Sequence, residues 1–385
     1  MATATTIVNA RVFDGTKLQA WTSVRFANGV ITDCAPTSTA QEGDEVIDAQ
    51  GSTLLPGLID THVHLLPGAL AKSLNFGVTT VLDMFSKPDQ LTTAKHQAAS
   101  NQHVADVRSS GIGATAPGGH PSLIYAPLPT LTTPDQADRF VADRAAEGSD
   151  YLKVIAAPGG LWPSLNSETI SALVAAAHAR NLLVVAHVNS RAGVEQVVSA
   201  GVDVIAHVPA TAELDQPLVD RIAEAGIAVG PTLVTAENTL GTSQAEANAR
   251  RLATAGVTLL AGTDAPNPGT VYGESLHREL ELLVRCGLSP TQALSAATAE
   301  PARVFGLDDR GQIAPGKQAD LLLVTGDPLT DITATRAIER IWRAGTPHER
   351  TEFVPTKPEA EQLEAFDTQV AKAVAAVRKA MANRL

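Results

Sequence analysis

The chain has 385 residues, long enough for one large domain with a companion, since a single hydrophobic core stops growing at about 250–300 residues. Its 44% hydrophobic content is that of an ordinary globular protein. The net charge of −12 argues against a nucleic-acid or anionic-membrane surface, because both need a basic patch.

No apolar run reaches the roughly 18 residues needed to span a bilayer, and the start, Met1 to Asn9, lacks the basic-then-apolar layout of a secretion signal. The expected location is therefore the cytoplasm. Cys34 and Cys286 lie far apart and form neither a disulfide framework nor a Cys-x-x-Cys metal site.

From the N-terminus to Leu55 short strands are expected over Thr6–Val12, Val24–Phe26, Val30–Asp33 and Val46–Asp48. Asn28-Gly29 between two β-prone runs is a hairpin signal, because a tight primed turn needs positive φ at both central residues. Similar runs return at Ala319–Val324 and Ala337–Ala344. The two chain ends are expected to pair into a small β-sandwich from residues 1–55 and 308–350.

Between them, residues 56–307 alternate apolar runs with Ala-rich helical stretches. The runs are Leu58–His64, Val78–Met84, Asp106–Ala114, Tyr151–Ala156, Leu182–Val188, Val202–Val208, Ile227–Leu233 and Val257–Asp264. Gly77, Gly201, Gly226 and Gly256 each precede a β-branched or apolar run, where glycine ends a helix in the left-handed conformation. Eight strand–helix repeats in about 250 residues are the pattern of an α/β (β/α)8 TIM barrel. An open doubly wound sheet competes with it until the polar residues are considered.

In such barrels the chemistry sits at the C-terminal ends of the strands. The first run ends with His62 and His64, whose side chains share a face because alternate strand residues do. The fourth run carries Lys153, the fifth ends at His187, the sixth at His207 and the eighth at Asp264. Singly, each has a structural explanation: a hydrogen-bonded core histidine, a snorkelling lysine, a helix-capping aspartate. Six ionisable groups at the ends of five apolar strands should instead share one pocket.

At this point the sequence resembles the amidohydrolase superfamily of metal-dependent hydrolases, from Ile7 to about Gly345. The resemblance runs through Pro56-Gly-Leu-Ile-Asp-Thr-His-Val-His64, Gly77-Val-Thr-Thr-Val81, Lys153, His187, His207 and Leu260-Ala-Gly-Thr-Asp264, and through Ser295–Leu307 and Gly311–Leu321. It is greatest to the binuclear branch of prolidase-like and acyl-amino-acid or dipeptide hydrolases, partly through Gly118-Gly119-His120. That resemblance implies His62, His64 and Asp264 on one metal, His187 and His207 on the other, and a carboxylated Lys153 bridging them. Zinc is the expected ion, and manganese, cobalt or iron suit the same donors.

The implied activity is hydrolysis of an amide-type C–N bond in an N-acyl amino acid, dipeptide or related small amide. A metal-activated hydroxide attacks, and Asp264 moves its proton to the leaving nitrogen. His120 is a candidate for holding the oxyanion or a substrate carboxylate, Asn189 for binding a carboxylate or amide, and Trp162 for a pocket wall. Each also has a bland reading as a loop, cap or packing residue. Val188-Asn-Ser-Arg191 departs from the aromatic often found after the fifth-strand histidine, and Ala206 replaces an acidic residue, so peptide specificity stays open.

A lactonase, carboxylesterase or phosphotriesterase would use the same binuclear set. A mononuclear deaminase would lack the lysine and carry Glu where Ser190 stands, and a non-catalytic scaffold would have lost ligands. The tail, residues 351–385, is expected to form one amphipathic helix through Glu361–Leu363, Phe366, Val370, Val374, Val377 and Met381. It would pack on its own barrel or in a homo-oligomer. The expected partner is a small-molecule substrate, with neither nucleic acid nor membrane.

Overall fold

A computed structural model describes residues 4–239 and 243–382, and its architecture is mixed α/β. The expected first strand is broken at Asn9, which sits at φ 55°. Thr5–Val8 and Arg11–Val12 consequently enter different sheets. One sheet runs in the order Val30–Ala35, Ser23–Ala27, Thr5–Val8, Glu45–Asp48. Asn28 and Gly29 at its hairpin both have positive φ, as their pairing requires.

The second sheet mixes the two chain ends. Its order is Thr346–His348, Ile338–Arg343, Leu321–Val324, Thr53–Pro56, Arg11–Val12. Ile7, Val24, Phe26 and Ile31 from the first sheet and Leu54, Leu321, Leu323 and Trp342 from the second share one buried cluster. Burial of that apolar surface is what holds the two sheets together.

The middle of the chain forms parallel strands separated by helices. Leu58–Val63, Val78–Asp83 and Asp106–Ser109 pair in that order, as do Leu152–Ala156, Val184–Val188, Val204–Ala206 and Ala228–Gly230. Single parallel bridges, Ala114 to Val154, Val229 to Leu259 and Val63 to Ala265, extend the contacts beyond these runs. The third run stops at Ser109, ahead of Gly111 at φ 60°. The eighth, Val257–Asp264, makes no regular strand. The Thr263 amide donates to the Asp60 carboxylate instead of a neighbouring backbone, and Asp264 is left-handed at φ 58°.

Alternation along these strands separates core from cavity. Leu152, Val154 and Ala156 join the hydrophobic layer under the helices, while Lys153 and Ile155 face the opposite way into a pocket. Val184, Ala186 and Val188 likewise point to the helices, and His187 to the pocket. Among the described residues no helix is long and apolar enough to cross a membrane. The last helix spans Lys357–Ala382, and the side chains of Val374, Val377 and Met381 lie outside the described residues.

Gly57 governs how the first parallel strand enters this arrangement. A Cβ there would lie 2.3 Å from Thr79 Oγ1 and 2.4 Å from its Cγ2. Gly57→Ala is expected to destabilise the fold by about 1–3 kcal/mol through overpacking, read as a lower urea midpoint, with partial recovery on adding Thr79→Ala. An unchanged midpoint would show that the two strands separate freely at this point.

Candidate metal centre

Three backbone irregularities aim the strand tips into one pocket. On the first parallel strand the register shifts between Asp60 and Val63, so that an extra residue is inserted against the neighbouring strand. Such a bulge resets the alternation of side chains. Ile59 faces the inner cluster and Val63 the outer layer, and His62 and His64 both turn to Asp264.

At the sixth run Ala206 already faces inward, so a regular continuation would send His207 outward. His207 instead adopts φ 71° and lines the pocket. Asp264, at φ 58°, is the third irregularity. Left-handed backbone at non-glycine residues costs on the order of 1–3 kcal/mol each and persists only where its surroundings enforce it.

Those surroundings are polar and buried. The Asp60 carboxylate accepts from the Thr263 amide at 3.0 Å, the Thr263 hydroxyl at 2.7 Å and the His62 amide at 3.1 Å. It thereby ties the His62 strand to the Asp264 loop. Burial pushes the Asp60 carboxyl up to about 7 despite these donors. Asp83 accepts from the Leu65 amide at 3.0 Å and fixes the chain just beyond His64.

Asp264 Oδ1 lies 3.2 Å from His62 Nε2 and 3.0 Å from His64 Nε2. Ligand atoms of His62, His207 and Asp264 all lie within 4.8 Å of one another. The His207 ring meets His62 at 4.8 Å and His187 at 4.7 Å, and His187 stacks on His120 at 4.9 Å. Lys153 enters the same pocket, 2% exposed.

The electrostatics suit neutral nitrogen donors around an anion. Burial, followed by the charge of Lys153, holds His62 well below the ordinary histidine value; burial and then His207 do the same for His187. Burial lowers His207 to about 4. For Asp264 burial acts upward, but the attraction of His62 and the hydrogen bonds of His62 and His64 outweigh it and hold the carboxyl well below its usual value. Burial pulls the Lys153 amine down to about 7 against the pull of Asp264 and Asp83, and Nζ has no hydrogen-bond partner. Imidazole lone pairs, a carboxylate and an orphaned amine together fit a divalent cation better than they fit one another.

Thr232 adds a constraint that sequence reasoning missed. Its hydroxyl contacts the Pro231 carbonyl at 2.8 Å and His207 Nδ1 at 2.7 Å. With the hydroxyl proton on the carbonyl, which can only accept, Nδ1–H is the donor to the hydroxyl oxygen. That tautomer leaves His207 Nε2 with its lone pair free. Thr232 is itself left-handed at φ 49°, and the helix Leu233–Thr239 that follows is held by Glu279, which accepts from the Leu233 and Val234 amides at 3.0 and 2.8 Å. No motif marked Thr232 in advance.

The remaining candidates sit further out. His120 lines the pocket, whereas Asn189 is exposed and Trp162 packs edge-on to His120 at 5.1 Å; neither Asn189 nor Trp162 borders the cavity. Arg191 is engaged by Asp215 at 2.7 Å and Glu195 at 2.9 Å, and the cap of its helix is the Ser190 hydroxyl. Met84, Phe85, Ile124, Tyr125, Ile155 and Phe366 supply the apolar walls.

The profile of the amidohydrolase family matches residues 53–349. The imidazolonepropionase of Salinispora arenicola is 29% identical over 339 residues, covering 78% of this chain and 85% of that protein. That of Rhodococcus jostii is 28% identical over 381 residues, covering 85% and 90%. Among solved structures, a putative prolidase from Bifidobacterium longum is 27% identical with a TM-score of 0.80, covering 95% of this chain and 99% of that one. A Xaa-Pro dipeptidase with methionine in its active site shares the fold at 22% identity and a TM-score of 0.80, covering 90% and 100%.

Thr232→Val keeps the β-branched shape but leaves His207 Nδ1–H without an acceptor. Metal affinity is expected to fall by about 10–100-fold, measured by competition with a chromophoric chelator, and Thr232→Ser is expected to retain it. Equal affinity for Val, Ser and Thr would remove the hydroxyl from the account.

Proposed function

The chain belongs to the amidohydrolase family and is a hydrolase, and we propose that it cleaves the C–N bond of a small amide in the pocket between His62 and Asp264. The observation that carries this reading is the buried meeting of the Asp264 carboxylate with His62 and His64 beside an amine that has no acceptor. The imidazolonepropionase relatives support the bond class.

In this reading the parallel strands close as a (β/α)8 barrel over residues 56–307, set in a β-sandwich from residues 1–55 and 308–350 and followed by a helical tail over 351–385. The three parallel bridges support closure.

His62, His64 and Asp264 would hold one divalent ion, His187 and His207 a second, with Lys153 between them. Zinc suits the imidazole-rich set. When bound, such ions supply an acidified water and a polarised carbonyl. The chain's residues do the rest. Lys153, poised near neutrality, attacks carbon dioxide through Nζ; an N–C bond forms, a proton leaves to solvent, and the amine becomes an anionic carbamate. Asp264, kept ionised, takes a proton at a carboxylate oxygen and returns it to the leaving nitrogen. His120 stacks on His187 and presents a polar edge to the substrate.

The lining also bears on substrate. Among the described residues that border the cavity none is an arginine, and Arg191 is already paired with Asp215 and Glu195. A substrate carboxylate would therefore lack the bidentate partner that usually recognises it. Of the small amides expected from the family resemblance, a neutral one with an apolar group fits these walls best.

The test is a panel of neutral anilides, N-acyl amino acids, dipeptides, lactones and phosphotriesters offered to zinc-reconstituted protein. Neutral anilides should be turned over best, and chelation should abolish turnover. Asp264→Asn should lower kcat by about 10²–10⁴-fold with a much smaller change in KM. Turnover confined to lactones or phosphotriesters would overturn the bond class, and a near-normal kcat for the variant would overturn the proton role of Asp264.

A further inference from the structure

Phe366 borders the same cavity as His64, Lys153 and Asp264, although its helix, Lys357–Ala382, lies wholly outside the family-matched residues 53–349. Along that helix Glu359, Leu363, Phe366, Val370 and Ala373 are half-buried, and the other described side chains are exposed. Spacings of four, three, four and three residues make this a single stripe on one face. The helix rests on the short helix Ser122–Tyr125, whose Ile124 and Tyr125 are themselves pocket walls.

The strap leading into the helix is pinned to the segment that follows His64. Asn75 Nδ2 donates to the Thr351 carbonyl at 2.6 Å, and the Thr351 amide donates back to Asn75 Oδ1 at 3.2 Å. The Phe353 ring lies under Lys72 Nζ, 5.3 Å from the ring centre, and covers Gly68 so closely that a Cβ there would meet it at 2.5 Å. Gly68 and Lys72 belong to the segment that follows His64. The Thr356 amide and hydroxyl then donate to Glu359 at 2.7 Å each and start the helix.

The cavity under this helix measures about 80 Å³. That is far below the roughly 300 Å³ at which small-molecule pockets begin. The described half-buried stripe of the helix lies over the short helix Ser122–Tyr125.

We infer that the C-terminal helix is a specificity-determining cap over the pocket, and that Phe366 is the wall limiting the length of apolar group a substrate carries beside its scissile carbonyl. The inference rests on the proposed reading of the pocket as the hydrolytic site. Straight-chain hydroxamates, from acetohydroxamate to octanohydroxamate, chelate metal through one end and extend an alkyl tail from the other, so they probe length without turnover.

Calorimetric titration of the full-length, zinc-loaded protein should show affinity falling as the tail lengthens. Phe366→Ala should relieve the fall, strengthening octanohydroxamate on the order of tenfold while acetohydroxamate changes little. Phe366→Trp should move the cut-off to shorter tails. Matching p-nitroanilides should follow the same order in kcat/KM. Identical length profiles in all three proteins would overturn the cap while leaving the pocket intact. Absence of hydroxamate binding in every protein would overturn the underlying reading of the pocket, and the cap with it.

Discussion

His62 and His64 reach the Asp264 carboxylate at 3.2 and 3.0 Å in a buried pocket, and this convergence constrains most of the surrounding backbone. An ionised carboxylate removed from water is costly unless paired, and hydrogen bonds from imidazole rings compensate it only in part. Lys153 sharpens the problem, because its amine is buried beside the same group without an acceptor. A cation shared among these donors, with the lysine converted to an anion, would resolve both deficits at once.

Holding the donors in place requires local sacrifice. A strand bulge at Asp60 to Val63 and left-handed backbone at His207, Thr232 and Asp264 are each unfavourable alone. Hydrogen bonds hold them: Asp60 with Thr263 and His62, Thr232 with His207, Glu279 with the amides after Thr232. The hydrophobic layer beneath the helices anchors the other face of the same strands. Apolar packing sets where the strand ends are, and the polar row sets which way they point.

The ligand-type residues were legible because ionisable groups stand out in apolar runs, and each of His62, His64, Lys153, His187, His207 and Asp264 does border the cavity. The alternation that placed His62 and His64 together holds, but a bulge is what turns that pair toward the pocket, and a bulge leaves no mark when no glycine announces it. The turn at His207 and the missing regular strand at Val257–Asp264 were hidden for the same reason: both follow from long-range hydrogen bonds, not from local propensity. Phe366 was legible as part of an amphipathic helix, but what that helix covers depends on tertiary placement. Asn189 and Arg191 drew attention by their position after His187, and the turn into the next helix carries both away from the cavity.

In the proposed reading this pocket would hold divalent ions and Lys153 would be carboxylated. The most direct measurement is the ¹³C NMR spectrum of zinc-loaded protein equilibrated with ¹³C-bicarbonate. A carbamate carbon that requires both zinc and Lys153, vanishing in Lys153→Ala, is the predicted result. A fully zinc-loaded protein with no carbamate carbon would contradict it.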